Sequence, residues 1–105
     1  MDFREKVIEL VKRIPAGKVM SYGQIAAHCG QRSSARMVGY IMNDCAGRED
    51  VPCHRVVNRN GYLTGKAHFG SPDAMEKMLL AEGIEFLESG DNDIRVDMEK
   101  HRWEG

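Results

Sequence analysis

The sequence predicts a mainly α-helical domain with a small β component, organised as a winged-helix-like helix-turn-helix. Three observations lead to it. The N-terminus is amphipathic at helical spacing, two short helical segments are separated by a turn at Gly30, and short β-type segments between turn residues follow only later. A chain of 105 residues fits one domain around one core, so we expect a single domain over residues 1–105.

The first predicted helix runs from Asp2 to Ile14. Asp2 can accept hydrogen bonds from the free amides of the first turn, and Pro15 cannot continue the helix. The apolar residues recur at helical spacing and predict one buried face. They are Phe3, Val7, Ile8, Leu10, Val11 and Ile14.

Two helices separated by a short turn follow, with the spacing of a helix-turn-helix. The first is predicted from Tyr22 to Cys29, with Ser21 as its cap and Gly30 as its end. The second is predicted from Ser34 to about Asn43, with Ser33 as its cap.

The second helix of this pair is rich in small residues: Ser33, Ser34, Ala35 and Gly39. Glycine inside a helix costs about 1 kcal/mol relative to alanine, so its presence there needs a reason. Small residues suit a helix that must approach another surface closely, and they equally suit packing against a neighbouring helix. The residues alone leave both interpretations open.

The second half combines short β-type segments with one further helix, and Trp103 near its end is expected to anchor the tail. Glycine, asparagine and proline set the predicted boundaries. In order, we expect a loop entering a strand at Val51–Asn58, a turn at Asn60–Gly61, a returning strand at Tyr62–Thr64, a loop at Lys66–Gly70, a helix from Ser71–Pro72 to Glu82 that Gly83 ends, and strands at Ile84–Glu88 and Ile94–Val96 around Gly90–Asp91.

Charge is segregated along the chain although the net charge is only −1. Residues 1–43 carry seven Lys or Arg against three Asp or Glu (+4), whereas residues 56–105 carry six against ten (−4). This suits one face that meets a polyanion, but charged runs are also common on ordinary solvated faces. With no long apolar run and a charged N-terminus, we expect no membrane contact and a cytoplasmic location, or a nuclear one in a eukaryote.

The three cysteines, Cys29, Cys45 and Cys53, are odd in number and lack paired spacing, which argues against a disulfide framework. Together with His28 and His54 they also lack the spacing of a metal site. We therefore expect no metal and no other cofactor, and structural or incidental roles for Cys29 and Cys45.

Cys53 has a base and a cation directly after it, in Pro52–Cys53–His54–Arg55. A cysteine nucleophile must be a thiolate, and a nearby base or positive charge favours that form. Neighbours on a strand point to opposite faces, however, so adjacency does not ensure contact. From these residues alone a buried inert cysteine is the simpler interpretation.

Five segments, in the same order, resemble the O6-alkylguanine-DNA alkyltransferase family and cover roughly residues 14–86. The segment PCHRV resembles the active-site signature of that family. Gly17–Ala26 (GKVMSYGQIA) resembles the segment that opens the helix-turn-helix of the family, and Ala35–Gly39 (ARMVG) resembles its recognition helix. Asn43 stands at the position of its hinge asparagine, and Leu79–Gly83 (LLAEG) resembles the helix that brings in its catalytic glutamate.

The resemblance implies irreversible transfer of an alkyl group from O6 of guanine to Cys53. It implies that His54 acts through a water as the base and that Glu82 orients it, as in nucleophile–base–orienter triads. It also implies that Asn43 ties the recognition helix to the active-site loop.

The resemblance further implies DNA contacts that flip the lesion out through the minor groove. Tyr22 would push on the phosphate of the target nucleotide, and Arg36 would replace the flipped base in the stack. Flipping costs a few kcal/mol, which such a wedge offsets in part, and small residues let a helix enter the narrow groove. The expected partner is duplex DNA with O6-alkylguanine, bound by a monomer. The predicted DNA-binding residues are Tyr22, Ser33, Ser34, Ala35, Arg36, Gly39 and Arg55.

Three features depart from the pattern of the active enzymes. Those enzymes usually carry an extra N-terminal domain, whereas this sequence opens directly on the DNA-binding segment. The stretch Asn43–Asp50 is acidic where the enzymes have a proline and an apolar run. Lys66–Gly70 replaces the tyrosine and glycines that line the alkyl pocket, so Phe69 or His68 is expected to line it instead.

All three departures resemble the alkyltransferase-like proteins, which bind O6-alkylguanine without repairing it and flag it for nucleotide excision repair. Those proteins typically have tryptophan or alanine at the position of Cys53, so the retained thiol favours a transferase. The alternative is a lesion sensor with excision-repair proteins as partners. A sequence-reading transcription factor is disfavoured, because Ser33, Ala35 and Gly39 offer few groups for hydrogen bonds to base edges.

Overall fold

The computed structural model describes residues 1–71, 73–90 and 93–105, and it confirms a mainly α-helical chain with a small β component. No helix in these ranges has the length and apolarity needed to cross a membrane. The described helices are α1 (Phe3–Arg13), α2 (Tyr22–His28), α3 (Ala35–Cys45), α4 (Ala74–Ala81) and α5 (Met98–His101). The described strands are β1 (Met20–Ser21), β2 (Val56–Val57), β3 (Phe86–Glu88) and β4 (Ile94–Val96). Two 3₁₀ turns lie at Cys53–Arg55 and Lys66–Phe69.

Helix α1 begins and ends through the local signals predicted for it. The Asp2 carboxylate accepts a hydrogen bond from the Glu5 amide at 2.8 Å. Ile14 has already left the helical conformation, although its amide still donates to the Val11 carbonyl. The buried face of the helix carries Val7, Leu10 and Val11.

Helix α2 is held at its start by a reciprocal cap. The Ser21 hydroxyl accepts from the Gln24 amide at 3.1 Å, and the Gln24 side chain accepts from the Ser21 amide at 3.0 Å. Gly30 follows the helix with a φ of 84°, a left-handed conformation that glycine adopts without steric cost. The predicted cap and stop are therefore confirmed.

Helix α3 begins and ends later than predicted, and the capping role predicted for Ser33 was wrong. Ser34 occupies the cap position, but its hydroxyl donates to the Gln31 side chain at 3.1 Å instead of accepting from the helix. At the other end the helix continues to Cys45, because Met42 and Cys45 are buried against the core.

The buried residues form two clusters, and the segment that carries Cys53 lies where they meet. The first cluster joins α1, α2 and α3 and includes Cys53 and Val56. The second lies under α4 and β4 and includes Val57 and Leu79. Phe69, on the second 3₁₀ turn, packs against both clusters. Packing on two sides therefore holds the segment that carries Cys53.

Strand β2 pairs differently from the prediction. It lies parallel to β1, with Met20 opposite Val56, rather than antiparallel to Tyr62–Thr64. The turn at Asn60–Gly61 is present. The Asn58 amide donates to the Tyr62 carbonyl at 3.1 Å and the Asn58 side chain accepts from the Tyr62 amide at 2.9 Å, but Tyr62–Thr64 does not form a strand. Tyr62 forms only a single bridge, to Arg95.

The C-terminal part was predicted with partial success. Strands β3 and β4 pair antiparallel, with Phe86 opposite Val96, and Trp103 packs on the first cluster as the expected anchor. Helix α4 starts at Ala74 and Gly83 follows its end with a φ of 84°. Helix α5 and the 3₁₀ turn Lys66–Phe69 were not predicted. The predicted roles of Pro72 at the start of α4 and of Asp91 in the last turn lie outside the described residues.

Candidate active site and DNA interface

Cys53 lies on the wall of a small cavity between α3 and the second 3₁₀ turn. It begins the 3₁₀ turn Cys53–Arg55, is 5% exposed, and its amide donates to the Val51 carbonyl at 2.8 Å. The lining residues of the cavity are Tyr22, Met42, Asn43, Ala46, Cys53, Val56, Gly65, His68, Phe69 and Met75.

The resting thiol of Cys53 is protonated. Burial raises its pKa to about 12, and the neighbouring Cys45 adds to the effect. Arg48 lowers the pKa without overcoming the burial. The expectation that adjacent positive charge favours the thiolate is therefore not met in the free protein, and a base must take the proton before the sulfur can attack.

The Glu82 carboxylate contacts both residues that follow Cys53. Its carboxylate lies 2.9 Å from Nε2 of His54, and Nε of Arg55 donates to its other oxygen at 2.9 Å. A second guanidinium nitrogen of Arg55 also contacts it. Sequence reasoning predicted the His54–Glu82 pair, and the geometry brings these side chains together across 28 positions.

The environment of Glu82 determines which nitrogen of His54 carries a proton. Partial burial raises the pKa of Glu82, but hydrogen bonds and charge from Arg55 and His54 outweigh it and leave the pKa below its usual value. The carboxylate is therefore ionised near neutral pH and can only accept. Nε2 of His54 must then carry the proton, which leaves the lone pair on Nδ1 to act as a base.

Arg55 lies in a different place from the one predicted for a DNA contact. Its guanidinium donates to Glu82 and, through Nη1, to the Ile14 carbonyl at 2.7 Å. The side chain is 18% exposed. Its three nitrogens thus have partners inside the protein, and the position supports a structural role beside the His54–Glu82 pair.

A wider groove opens beside the cavity and is bounded by one face of α3. Ala35, Arg36, Gly39 and Asn43 line it from the helix. Arg36 is exposed. Tyr22, Thr64, Gly65 and His68 line the opposite side. Because Tyr22, Asn43, Gly65 and His68 line both spaces, they form the neck between the groove and Cys53.

Tyr22 is largely buried in this neck and has a hydrogen-bond partner there. Burial raises the pKa of its hydroxyl, while a hydrogen bond with Thr64 opposes the change. A Cβ atom on Gly65 would lie 3.1 Å from the hydroxyl, and one on Gly39 would lie 3.9 Å from the ring. Gly65 therefore leaves space for the tyrosine hydroxyl, whereas a side chain at position 39 would make only an ordinary van der Waals contact with the ring.

Three residues near the groove differ from the sequence prediction. Ser33 is exposed, Ser34 occupies the cap position of α3 without a side-chain cap, and neither lines the groove. Tyr40, which was missed, is 55% exposed and lines the groove one turn after Arg36. The sequence feature that could have identified it is an aromatic residue four positions after Arg36, which lies on the same face of a helix. His68 lines the cavity, as expected from the altered loop.

Comparison with known proteins gives three consistent findings. The model of the 6-O-methylguanine DNA methyltransferase DNA-binding domain matches residues 2–84. Alkyltransferase-like protein 1 of Schizosaccharomyces pombe is 31% identical over 102 residues, which are 97% of this chain and 94% of the relative. The methylated-DNA–protein-cysteine methyltransferase of Salmonella typhimurium is 43% identical over 85 residues, which are 81% of this chain and 48% of that enzyme.

The fold agrees with these relationships. The crystal structure of S. pombe Atl1 in complex with damaged DNA containing O6-carboxymethylguanine matches with a TM-score of 0.87 and 31% identity, over 98% of this chain and 95% of that one. The similarity spans nearly the whole of the alkyltransferase-like protein but about half of the Salmonella enzyme. The chain belongs to the 6-O-methylguanine DNA methyltransferase family, represented by its DNA-binding domain.

Proposed function

We propose that the protein binds duplex DNA containing O6-alkylguanine, turns the lesion into the cavity and transfers its alkyl group irreversibly to Cys53. The observation that carries the proposal is the thiol on the cavity wall, followed directly in the chain by His54, which is hydrogen-bonded to Glu82. A sensor that only binds the lesion needs the cavity but has no use for a thiol next to a base.

The transfer requires one proton movement and one substitution at carbon. His54, through a water, takes the proton of Cys53, and the thiolate attacks the alkyl carbon. A sulfur–carbon bond forms as the carbon–oxygen bond breaks, and its electron pair stays on guanine. O6 becomes a carbonyl oxygen when a ring nitrogen takes up a proton. Because the thioether is stable, each molecule reacts once.

The catalytic pair lowers the cost of forming the thiolate. Burial holds the thiol protonated at rest, so the nucleophile exists only while His54 holds the proton. The ionised Glu82 stabilises the imidazolium that then forms, and Arg55 keeps the carboxylate in place. Asn43 lies on the neck at the end of α3, which suits its proposed role between the recognition helix and the active site.

A lesion sensor is the second candidate, favoured by a different observation. The chain matches nearly the full length of an alkyltransferase-like protein, and the Lys66–Phe69 turn contributes His68 and Phe69 to the cavity. In that case the bound lesion would persist, and excision-repair proteins would be the partners. The two candidates share DNA binding, and they differ in whether the sulfur–carbon bond forms and in whether excision-repair proteins are recruited.

The intact mass of the protein distinguishes the two candidates. After incubation with a duplex carrying one O6-methylguanine, we expect the protein to gain one methyl group, with saturation at one equivalent of DNA. A duplex with unmodified guanine at the same position is the matched control and should cause no gain. Tight, lesion-selective binding without any gain in mass would reject the transferase and support the sensor.

Replacement of Arg36 by alanine is expected to weaken binding to the lesion duplex by about tenfold or more. The exposed guanidinium lies on the groove face of α3, where it can fill the space left by the flipped base, and flipping costs a few kcal/mol. Fluorescence anisotropy at constant salt measures the change.

Arg32→Ala is the matched control for that substitution. It removes the same charge from the turn before α3, and Arg32 does not line the groove. It should lower affinity only modestly and equally for damaged and undamaged DNA, through the general electrostatic attraction. Equal losses in the two variants would reject the intercalating role of Arg36.

A further inference from the structure

His101 is a buried histidine that links two segments near the active site, and it lies beyond the residues matched by the family model. Its Nδ1 is 3.0 Å from the Gly17 carbonyl oxygen, and its Nε2 is 3.0 Å from the Glu85 amide nitrogen. Both partners are backbone groups, 84 and 16 positions away along the chain.

The two partners determine the protonation of the ring. A carbonyl oxygen can only accept and a backbone amide can only donate. Nδ1 must therefore carry the proton and Nε2 must present its lone pair, so the imidazole is neutral in this arrangement. The Glu85 carboxylate is 3.8 Å from Nε2 and is itself paired with Lys100 at 3.1 Å.

The same two segments are joined a second time by the active-site residue Arg55. Its guanidinium connects the Ile14 carbonyl to the Glu82 carboxylate, while His101 connects Gly17 to Glu85. Between these links the segments are in close contact, since a Cβ on Gly17 would lie 3.4 Å from the Glu82 carbonyl oxygen. Arg55 thus fixes the side chain of Glu82 and His101 fixes the backbone just after it.

The segment around His101 is in turn attached to the helix-turn-helix. The Val19 amide donates to the His101 carbonyl at 2.9 Å, and the Trp103 amide donates to the Val19 carbonyl at 2.8 Å. The side chain of Gln24, which also caps α2, donates to the Trp103 carbonyl at 2.9 Å. The C-terminal segment therefore contacts both the Glu82 backbone region and the start of α2.

We propose that His101 is a positioning residue for Glu82, acting as a neutral donor–acceptor bridge that holds the end of α4 against the turn after α1. Its loss would let the Glu82 carboxylate move away from His54. The effect on alkyl transfer rests on the function proposed above, whereas the effect on the hydrogen bond between His54 and Glu82 can be measured in the free protein.

Two substitutions of His101 separate its hydrogen bonds from its volume. In His101→Gln the amide offers one donor and one acceptor, which can bond the same two backbone groups. In His101→Phe the ring is kept and both hydrogen bonds are lost. Val7→Ala is the control for general destabilisation, because it removes buried packing on α1. If His101→Phe does not fold, His101→Met takes its place.

The readout is the tautomer of His54, observed through its ring nitrogen resonances in proton–nitrogen correlation spectra without DNA. The wild-type protein, His101→Gln and Val7→Ala should show one tautomer with the proton on Nε2. His101→Phe should lose this single-tautomer pattern and should also transfer alkyl groups about tenfold more slowly.

The spectra decide the inference independently of the transfer reaction. A folded His101→Phe protein with the wild-type His54 pattern would overturn it. So would loss of the pattern in His101→Gln or Val7→Ala to the same extent. If the pattern changes as expected but the wild-type protein never gains mass, the positioning role stands and the transferase proposal fails.

Discussion

The Cys53→Ser variant is expected to gain no alkyl group from O6-methylguanine DNA while binding the lesion as tightly as the wild-type protein. Serine fills nearly the same volume in the cavity wall, so the flipped base can still enter. An alcohol is far harder to ionise than a thiol, however, and His54 is too weak a base to produce an alkoxide. Intact-protein mass and an anisotropy titration on one sample measure the two properties together.

Cys29→Ser is the matched control for this substitution. Cys29 is a buried free thiol at the end of α2 that lies outside both the cavity and the groove. The control should gain the same mass as the wild-type protein. A gain in mass by Cys53→Ser would show that another residue is the acceptor and would remove Cys53 from the proposed mechanism.

The Glu82→Gln variant is expected to transfer the alkyl group about a hundredfold more slowly, which is typical of a disabled base. Glutamine lacks the negative charge that stabilises the imidazolium form of His54. Its amide also keeps only one acceptor oxygen, whereas both oxygens of the Glu82 carboxylate accept from Arg55. Glu82 does not line the cavity or the groove, so lesion binding should change little. Single-turnover kinetics with excess protein measure the rate of transfer.

Glu76→Gln provides the same chemical change in the first turn of the same helix. It should react at the wild-type rate, because Glu76 is not among the residues that contact His54 or Arg55 in the described parts of the chain. A wild-type rate for Glu82→Gln would show that the carboxylate does not assist the base. A parallel loss of thermal stability must be measured, since Arg55 would lose its partner.

Several features of this protein could be predicted because their causes lie within a few residues. The caps Asp2 and Ser21 act on amides three positions later, and Gly30 and Gly83 take up conformations that most residues avoid. The order of the five motifs was sufficient to predict the family. His68 and Phe69 were also expected at the cavity from their place in the altered loop.

The features that were missed depend on residues far apart in the chain. Arg55 looked available for DNA, but Glu82, 27 positions later, takes its guanidinium. Strand β2 pairs with β1 rather than with the residues that follow it, and His101 reaches Gly17 across 84 positions. A charged or polar side chain reads the same in a sequence whether it faces solvent or a buried acceptor. The packing of α1, α4 and the C-terminal segment decides whether such a side chain faces solvent or a buried acceptor. A polar group that is buried without a hydrogen-bond partner is costly, so the folded chain places a partner beside it.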